Sequence, residues 1–340
     1  MSEKSIVVGI TQGDINGVSY EVIIKTFLDT RMMEICTPVV YGSSRAVSYH
    51  RKLVKNSGDF SSRLIKHAEQ ASNKGLNMIN IVDDELKIEI GKPTPLAGKV
   101  AVLSLIKATE DILAKKIDVL VTSPVNKENI QSESFSFPGQ TEFLAKSCNT
   151  DDYLMLMIVD GVRIGTVTTH YAVSEVSQQL KKDNIVKKIH ILNKSLEQDF
   201  LITKPKIAVL SLNPHTGENG RFGEEEQQII IPAIEEAFNQ GAYVFGPYPA
   251  DGFFGTGQHT KFDAVLAMYH DQAMIPFKLL AYGEGVNFTA GLPFVRTSPA
   301  HGTAYDIAGK DMASPDAFRK AIYLACDIYR NRQESTNSKQ

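Results

Sequence analysis

Residues 268–309 read MYHDQAMIPFKLLAYGEGVNFTAGLPFVRTSPAHGTAYDIAG, a stretch in which polar and charged side chains alternate with apolar ones and with glycines. The stretch contains two histidines, two aspartates, a lysine, an asparagine and an arginine. Burying such groups is costly unless they are paired, so a hydrophobic core would not select them. Their combination with apolar, glycine-rich surroundings therefore indicates a functional site, for a metal-bound substrate and for a nucleotide.

The length and composition are those of a globular protein large enough for two lobes. A single core stops growing at roughly 250–300 residues, and this chain has 340. Hydrophobic residues make up 43% and charged residues 22%, which allows a core and excludes bulk disorder. The net charge of −3 and the dispersed Lys and Arg argue against nucleic-acid binding. No apolar run reaches the roughly 20 residues that a membrane span needs, so no membrane partner is expected.

The N-terminus and the cysteines favour a cytoplasmic protein. The first residues, MSEKSIVVGITQGD, enter a predicted strand at once and lack the features of a signal peptide. Cys36, Cys148 and Cys326 are odd in number, widely spaced and set in apolar contexts, so we expect free thiols that are buried. Free thiols persist in a reducing compartment.

Short β-rich runs alternate with helical patterns, which predicts an α/β fold. Asp160 and Gly161 separate two β-patterned runs, 153–159 and 162–169, and Asp-Gly between such runs is a strong hairpin signal. Further strands are predicted at 5–11, 38–42, 118–122, 206–212 and 263–269, and helices at 19–28, 99–115, 222–239 and 314–330. The polar residues 331–340 are expected to form a tail.

Three histidines each follow an apolar β-run: His170 in TVTTH, His215 in LSLNPHTGENG and His270 in LAMYHDQ. Ligands tend to lie at the carboxyl ends of strands in open α/β sheets, and three imidazoles with an open position suit a catalytic divalent metal. One such histidine alone would more often be a helix cap or a satisfied core residue, whereas three in matched contexts favour the metal. No compact metal motif supports the set. Three other histidines lie in polar helical stretches and are expected to be solvated: His50, His67 and His190.

Lys278, Asn287 and Arg296 lie in one 19-residue span, 278–296, and are separated by turns. Cationic and amide groups of this kind bind phosphate or carboxylate, and Arg can bind either in a bidentate way. Unrelated solvated side chains are the alternative, which suits Lys278 better than Arg296 because Arg296 lies in the apolar run GLPFVRTS. GxGxxG and GxxxxGK[ST] are both absent, so neither a Rossmann nor a P-loop nucleotide site is predicted.

Six motifs, spread over nearly the whole chain, resemble the 4-hydroxythreonine-4-phosphate dehydrogenase family: TQGD, TSPVNK, TEFLA, NPHTGENG, MYHDQ and GVNFTAGLPFVRTSPAHGTAYDIAG. HGTAYDIAGKDMASP is also similar to the adenine-binding loop HGSAPDIAG of the isocitrate and isopropylmalate dehydrogenases. The resemblance implies their two-lobed α/β fold, with mixed sheets and a central cleft, which binds NAD or NADP without a Rossmann domain. We expect a first lobe of residues 1–125 and 275–330, and a second lobe of 126–274 that forms a dimer interface.

The functional positions of the family can be transferred residue by residue. The resemblance implies a divalent metal, zinc first with Mg or Co as alternatives, whose ligands come from both subunits of a homodimer: His170, His215 and His270. The implied substrate-binding residues are Gln140, Thr141, Lys278, Asn287 and Arg296. The implied residues near the adenosine of NAD are His301, Gly302 and Asp306. Asp251 matches an acidic position near the metal and shares with Lys278 the candidate role of general base.

The resemblance implies NAD- and metal-dependent oxidation of 4-phosphooxy-L-threonine in pyridoxal phosphate biosynthesis. The resulting 3-oxo acid would decarboxylate to 3-amino-2-oxopropyl phosphate, because the new ketone accepts the electrons left by the carboxylate. Relatives in this family also act on phosphorylated four-carbon sugar acids and aromatic cis-dihydrodiols, so a dehydrogenase of 4-phospho-threonate, erythronate or another secondary alcohol is the alternative. A metal-dependent hydrolase and a non-catalytic phospholigand binder are more distant alternatives.

Two segments depart from the family pattern. Gln140 replaces a histidine that normally precedes the threonine, and glutamine keeps hydrogen bonding but does not titrate near neutral pH. The early motif GDPAGIGPE reads GDINGVSYE at residues 13–21, without both prolines and one glycine. Each departure is compatible with drift or with a different substrate.

Overall fold

The computed structural model describes residues 5–82, 86–133 and 135–337 of the chain. The chain divides into two compact units, Met1–Thr150 with Pro293–Tyr329 and Asp151–Leu292 with Arg330–Gln340. Strands and helices alternate in both units, so the α/β class is confirmed.

The first unit contains six parallel strands in the order β3-β4-β2-β1-β5-β12. Their bounds are β1 Val7–Thr11, β2 Thr37–Gly42, β3 Ser62–Ile65, β4 Leu76–Asn80, β5 Val119–Val121 and β12 Val295–Pro299. Strands β2, β5 and β12 are buried at every residue, as parallel strands are when both faces of their sheet are covered. Continuous apolar runs, rather than an alternation of apolar and polar residues, are therefore the sequence pattern that predicts this sheet.

The helices of the first unit are α1 Ser19–Phe27, α2 Met32–Ile35, α3 Ser44–Arg51, α4 Pro95–Leu113, α5 Gln140–Ser147 and, as far as Tyr329, α11 Asp316–Asn337. Two helices of the first unit, α3 and α4, begin after residues whose side chains cap them, Ser43 and Thr94. Thr94 Oγ1 accepts a hydrogen bond from Ala97 N, and Pro95 is the first residue of α4.

The second unit contains a mixed sheet in the order β11-β6-β7-β10-β8-β9. Its strands are β6 Leu154–Val159, β7 Val162–Thr166, β8 Lys206–Leu210, β9 Tyr243–Tyr248, β10 Ala264–Ala267 and β11 Val286–Ala290. Strands β7, β10, β8 and β9 run parallel, whereas β6 is antiparallel to both β7 and β11. Its helices are α6 Val176–Gln179, α7 Lys182–Asp199, α8 Ile231–Asn239, α9 Ala250–Gly255 and α10 His270–Ala281.

The predicted hairpin is the turn between β6 and β7. Val159 pairs with Val162, and the two residues between them have positive φ angles, 38° at Asp160 and 86° at Gly161. A two-residue hairpin loop requires this left-handed backbone, which Asp and Gly tolerate. The hairpin prediction is therefore confirmed.

The first lobe is expected to end at residue 125 and to resume at residue 275. The first compact unit instead ends at Thr150 and resumes at Pro293. Helix α5 belongs to the first unit because it packs on α4 there and its Thr141 bonds Arg296. Strand β11 belongs to the second unit because it pairs with β6.

Three further expectations need correction. The helix predicted at 222–239 begins only at Glu226, as a π-helical turn Glu226–Ile230 that continues into α8, because left-handed residues precede it. The expected tail is helical as far as Asn337, since Asn331 and Arg332 bond Asp199. His50, expected to be solvated, is buried, and its Nε2 lies 2.8 Å from the Ile15 carbonyl oxygen.

Two of the three cysteines are buried, as expected. Cys36 and Cys326 are buried free thiols, and Cys148 is a half-buried one. Among the residues that the structure describes, no helix is both long and apolar enough to cross a bilayer.

Candidate active site

The three strand-end histidines follow three adjacent parallel strands of the second unit. Strand β10 lies between β7 and β8 and is parallel to both, so the carboxyl ends of all three point to one edge of the sheet. His170 follows β7, His215 follows β8 and His270 begins α10 directly after β10. The strand order therefore places the loops that carry the three histidines at one edge of the sheet.

Hydrogen bonds extend the pairing of these strands almost to the histidines. Val167 N donates to Ala267 O at 2.9 Å, and both Thr168 N and Thr168 Oγ1 donate to Met268 O, at 3.1 and 2.7 Å. The loops that lead to His170 and His270 are thereby fastened to each other two residues before each imidazole.

Gln272 fastens the β10 loop to the β8 loop. Its Oε1 accepts a hydrogen bond from Met268 N at 2.8 Å, and its Nε2 donates to Ser211 O at 2.6 Å. The side chain is buried, so both bonds are made away from water. Gln272 belongs to the MYHDQ motif, yet the sequence assigned it no role, because its partner Ser211, directly after β8, is 61 residues away.

His215 stands in an unusual backbone conformation. The five residues 215–219 all have positive φ angles, between 43° and 75°, which makes a left-handed turn. Left-handed backbone costs roughly 1–2 kcal/mol per non-glycine residue, so such a turn persists only where its surroundings hold it. Strain of this kind is concentrated at functional sites, which agrees with the predicted role of His215.

Within the described residues of one chain, no group of three or more His, Cys, Asp or Glu side chains is arranged to hold a metal ion. His170 and His215 are exposed and His270 is half-buried. His270 Nδ1 lies 2.7 Å from Asp271 Oδ1. Metal-binding histidines commonly bond a carboxylate through the second ring nitrogen, so this contact suits Nε2 coordination.

The other predicted residues of the second unit lie on three different elements. Asp251 is exposed in the first turn of α9, after β9, which neighbours β8. Lys278 is exposed on α10, eight residues after His270. Asn287 lies on β11 opposite Met157, and its buried Oδ1 has no hydrogen-bond partner among the described residues. A buried acceptor left open in this way is available to a ligand.

Arg296 is the centre of a polar cluster in the first unit. It lies on β12 and is buried, and its Nε and Nη2 donate to Thr122 Oγ1 at 3.1 and 2.7 Å. Its Nη1 donates to Thr141 Oγ1 at 3.1 Å, at the start of α5. Burial lowers the Arg296 pKa to about 10, against the opposing charge of Glu142, so the guanidinium stays positive at neutral pH. A buried cation beside hydroxyl groups and a helix N-terminus is suited to an anion.

Gln140 lies next to this cluster. Its Nε2 donates to Ser123 O at 3.2 Å, while its Oε1 is buried without a partner in the described part of the chain. The Ser123 hydroxyl is also buried and unpaired there. Thr122 and Ser123 stand in TSPVNK directly after β5, and this strand-end position was the signal that could have identified them.

The predicted nucleotide loop, residues 301–309, also lies in the first unit. His301 Nδ1 is 2.9 Å from Gly302 O, and its Nε2 is buried without a partner within the described ranges. Burial lowers the His301 pKa, so a neutral imidazole is favoured. Gly302 and Asp306 are exposed. An unpaired imidazole nitrogen beside exposed loop residues is a plausible contact for a ligand base or ribose.

The GDINGVSYE segment packs directly against this loop. Val18 N donates to Thr303 O at 3.0 Å, and a Cβ at Gly17 would lie only 2.6 Å from that same oxygen. Further along, Glu21 Oε1 accepts a hydrogen bond from Ala313 N at 2.8 Å and also bonds Lys25. The altered segment therefore retains the glycine and the glutamate that hold the loop.

Comparison with known proteins identifies the family. The family model for the pyridoxal phosphate biosynthetic protein PdxA matches residues 34–325. A 4-hydroxythreonine-4-phosphate dehydrogenase from Bacteroides thetaiotaomicron is 53% identical over 98% of this chain and 91% of its own length. A relative from Oceanobacillus iheyensis, 37% identical over 96% of this chain and 99% of its own, carries a name that refers to D-threonate 4-phosphate.

A solved structure gives the same result at the level of the fold. The 4-hydroxythreonine-4-phosphate dehydrogenase from Klebsiella pneumoniae superimposes with a TM-score of 0.82 at 34% identity, over 97% of this chain and 99% of that one. The family match and the two relatives together cover nearly the whole chain. The chain therefore belongs to the PdxA family of pyridoxal phosphate biosynthetic proteins.

Proposed function

We propose that this protein is a 4-hydroxythreonine-4-phosphate dehydrogenase, which oxidises the secondary alcohol of 4-phosphooxy-L-threonine with NAD or NADP. The resulting 3-oxo acid loses its carboxylate as CO₂ to give 3-amino-2-oxopropyl phosphate. The observation that carries the proposal is the placement of His170, His215 and His270 after three adjacent parallel strands, in a chain that is 53% identical to a relative of that name.

The three imidazoles fit a divalent ion such as Zn²⁺, with Co²⁺ or Mg²⁺ as alternatives, because nitrogen ligands suit the first two better than Mg²⁺. The contact between the Asp271 carboxylate and His270 Nδ1 orients the imidazole and favours coordination through Nε2. Since one chain does not gather three ligands among its described residues, we propose that a second copy completes the set.

An exposed apolar row on α10 supports the homodimer. Ile275 and Leu279 on α10 are 60% and 69% exposed, and Tyr282, the residue directly after the helix, is 91% exposed. Exposed apolar groups of this kind mark association surfaces, and α10 lies in the unit expected to form the dimer interface.

When bound, the ion would supply Lewis acidity to the substrate alcohol, and the nicotinamide would supply the hydride acceptor. Arg296, Thr141 and Gln140 would hold the anionic and polar ends of the substrate, together with Lys278 and Asn287. Asp251 and Lys278 are the candidates that take the alcohol proton, and both side chains are exposed. His301, Gly302 and Asp306 would contact the adenosine of the cofactor.

Formation of NADH tests the proposal directly. The purified protein is incubated with NAD or NADP and 4-phosphooxy-L-threonine, 4-phospho-threonate or erythronate 4-phosphate, with and without a chelator. We expect NADH with the first compound and its loss on chelation, restored by added Zn²⁺ or Co²⁺. No reduced cofactor from any of the three would reject the proposal, and turnover unaffected by chelation would reject the metal.

Oxidation of 4-phospho-threonate is the second candidate function. Gln140, in the position of the family histidine, is the observation that favours it, because a fixed amide cannot pair with substrate charge as an imidazolium does. The relative from Oceanobacillus iheyensis, whose name refers to D-threonate 4-phosphate, is 37% identical to this chain. A higher kcat/KM for 4-phospho-threonate than for 4-phosphooxy-L-threonine would establish it.

A further inference from the structure

We propose that Glu226 is the positioning residue for His215, and that its carboxylate holds the left-handed turn in the shape that presents the imidazole to the metal. This inference rests on the metal role of His215 in the proposed function. Glu226 touches neither substrate nor cofactor in this assignment, and it acts through the loop that it binds.

The Glu226 carboxylate is buried and bonded on both oxygens. Its Oε1 accepts hydrogen bonds from Leu212 N and Asn213 N, each at 2.8 Å. Its Oε2 accepts a third from Asn213 Nδ2 at 3.0 Å. The two backbone groups lie directly before the turn that begins at Pro214, so the carboxylate fixes the point where the chain leaves β8 for His215.

The same carboxylate also supports the middle of the turn. A Cβ at Gly217 would lie 2.7 Å from Glu226 Oε2, so only glycine allows the backbone to approach the carboxylate this closely. Gly217 also has a φ of 75°, in the left-handed region. Glu226 therefore contacts both the entry and the centre of a strained segment.

The position of Glu226 in the next helix makes the carboxylate rigid. It is the first residue of the π-helical turn Glu226–Ile230, and Ile231 N bonds its carbonyl oxygen. π-helical turns are rare and occur frequently at functional sites, where they redirect side chains. The neighbouring Glu225 assists, because its Oε2 accepts from Asn213 Nδ2 at 2.7 Å, but it bonds no backbone group of the turn.

The proposal is tested by the affinity of the purified full-length protein, stripped of metal, for Co²⁺ alone, followed by visible absorption. Glu226→Ala should weaken Co²⁺ binding by roughly 10–100-fold, the usual effect of removing a group that orients a metal ligand. Glu226→Gln should weaken it less, since an amide oxygen can still accept from Leu212 N and Asn213 N. The matched control is Glu224→Gln, whose side chain is exposed and accepts a hydrogen bond from Gln228, and it should bind Co²⁺ like the parent protein.

Circular dichroism and thermal unfolding of the metal-free proteins separate positioning from general stability. A folded Glu226→Ala protein with parental Co²⁺ affinity would overturn the proposal, even if its melting temperature fell. If that variant does not fold, Glu226→Gln and Asn213→Ala decide, and parental affinity in both would overturn it equally. A parent protein that binds no Co²⁺ would instead reject the metal in the proposed function.

Discussion

The Tyr305 hydroxyl donates a 2.6 Å hydrogen bond to Oδ2 of Asp14, which is buried. The bond joins loop 301–309, for which we propose a cofactor role, to the segment GDINGVSYE, to which Asp14 belongs. Desolvation raises the Asp14 pKa against the hydrogen bonds from Tyr305 and from the backbone N–H groups of Asn16 and Gly17. The Tyr305 hydroxyl therefore offsets part of the free-energy cost of burying the Asp14 carboxylate.

Tyr305→Phe should weaken NAD binding, because it leaves Asp14 Oδ2 without its donor and loosens the loop. Leaving a buried acceptor unsatisfied costs about 1–3 kcal/mol, part of which should appear as a raised KM for NAD. Steady-state kinetics at saturating substrate provide the measurement. Tyr323→Phe is the control, since the Tyr323 hydroxyl bonds Met32 Sδ and lies outside loop 301–309. An unchanged KM for NAD in Tyr305→Phe would show that the bond does not support the cofactor site.

His50 should make the protein less stable in weak acid. Burial lowers its pKa from 6.5 to about 4, so below pH 6.5 the unfolded chain binds a proton that the folded chain does not. The contribution of His50 to the free energy of unfolding is complete above pH 6.5. It is lost as the pH falls towards 4, by about 2 kcal/mol at pH 5. Urea unfolding at pH 7 and pH 5 measures the loss. His50→Gln should lose less between these two pH values than the parent protein, whereas His67→Gln, at an exposed position, should lose as much.

Arg296→Lys should reduce substrate affinity although the positive charge remains. Lysine cannot reproduce the planar donors that reach Thr122 and Thr141 together, and hydrogen bonds to charged groups contribute about 1.5–3 kcal/mol. We expect KM for the phosphorylated substrate to rise about 10–100-fold. The exposed Arg31→Lys, whose guanidinium pairs with Asp29, is the control. Equal KM values for both variants would remove Arg296 from the substrate site.

His215→Ala should abolish cofactor reduction. Loss of Lewis acidity removes several kcal/mol of stabilisation from the transition state, which is more than about 100-fold in rate. NADH formation and the metal content of the purified variant are measured together, with the exposed His67→Ala as control. Turnover near that of the parent protein would exclude His215 from the metal site.

Gln140→His should change the pH dependence of the substrate KM relative to that of the parent protein. An imidazole near its ordinary pKa of about 6.5 gains a charge in weak acid and would then attract a phosphate or carboxylate, whereas the glutamine amide does not titrate. KM for 4-phosphooxy-L-threonine and for 4-phospho-threonate is measured between pH 5.5 and 8. Parallel profiles for variant and parent would indicate that residue 140 does not face the charged end of either compound.

Local sequence was a good guide where one element decided the outcome. The β6–β7 hairpin follows from Asp160 and Gly161 alone, since these residues accept the left-handed backbone that the turn needs. The α/β class follows from alternating apolar runs. The helix start near residue 222 and the state of His50 could not be predicted in this way, because a left-handed turn and a distant carbonyl at Ile15 determine them.

The sequence by itself determined which residue types are available to the chemistry: three histidines after β-runs, one arginine in an apolar strand, and a glycine-rich loop after β12. Motif content, which is a property of the linear chain, also determined the family. Three relationships are visible in the tertiary structure alone. Strand β10 lies between β7 and β8, and Gln272 joins the loops that follow β10 and β8. Glu226 bonds the backbone directly before the turn of His215. These relationships depend on strand order and on burial, and both arise from contacts between residues that are far apart in the chain.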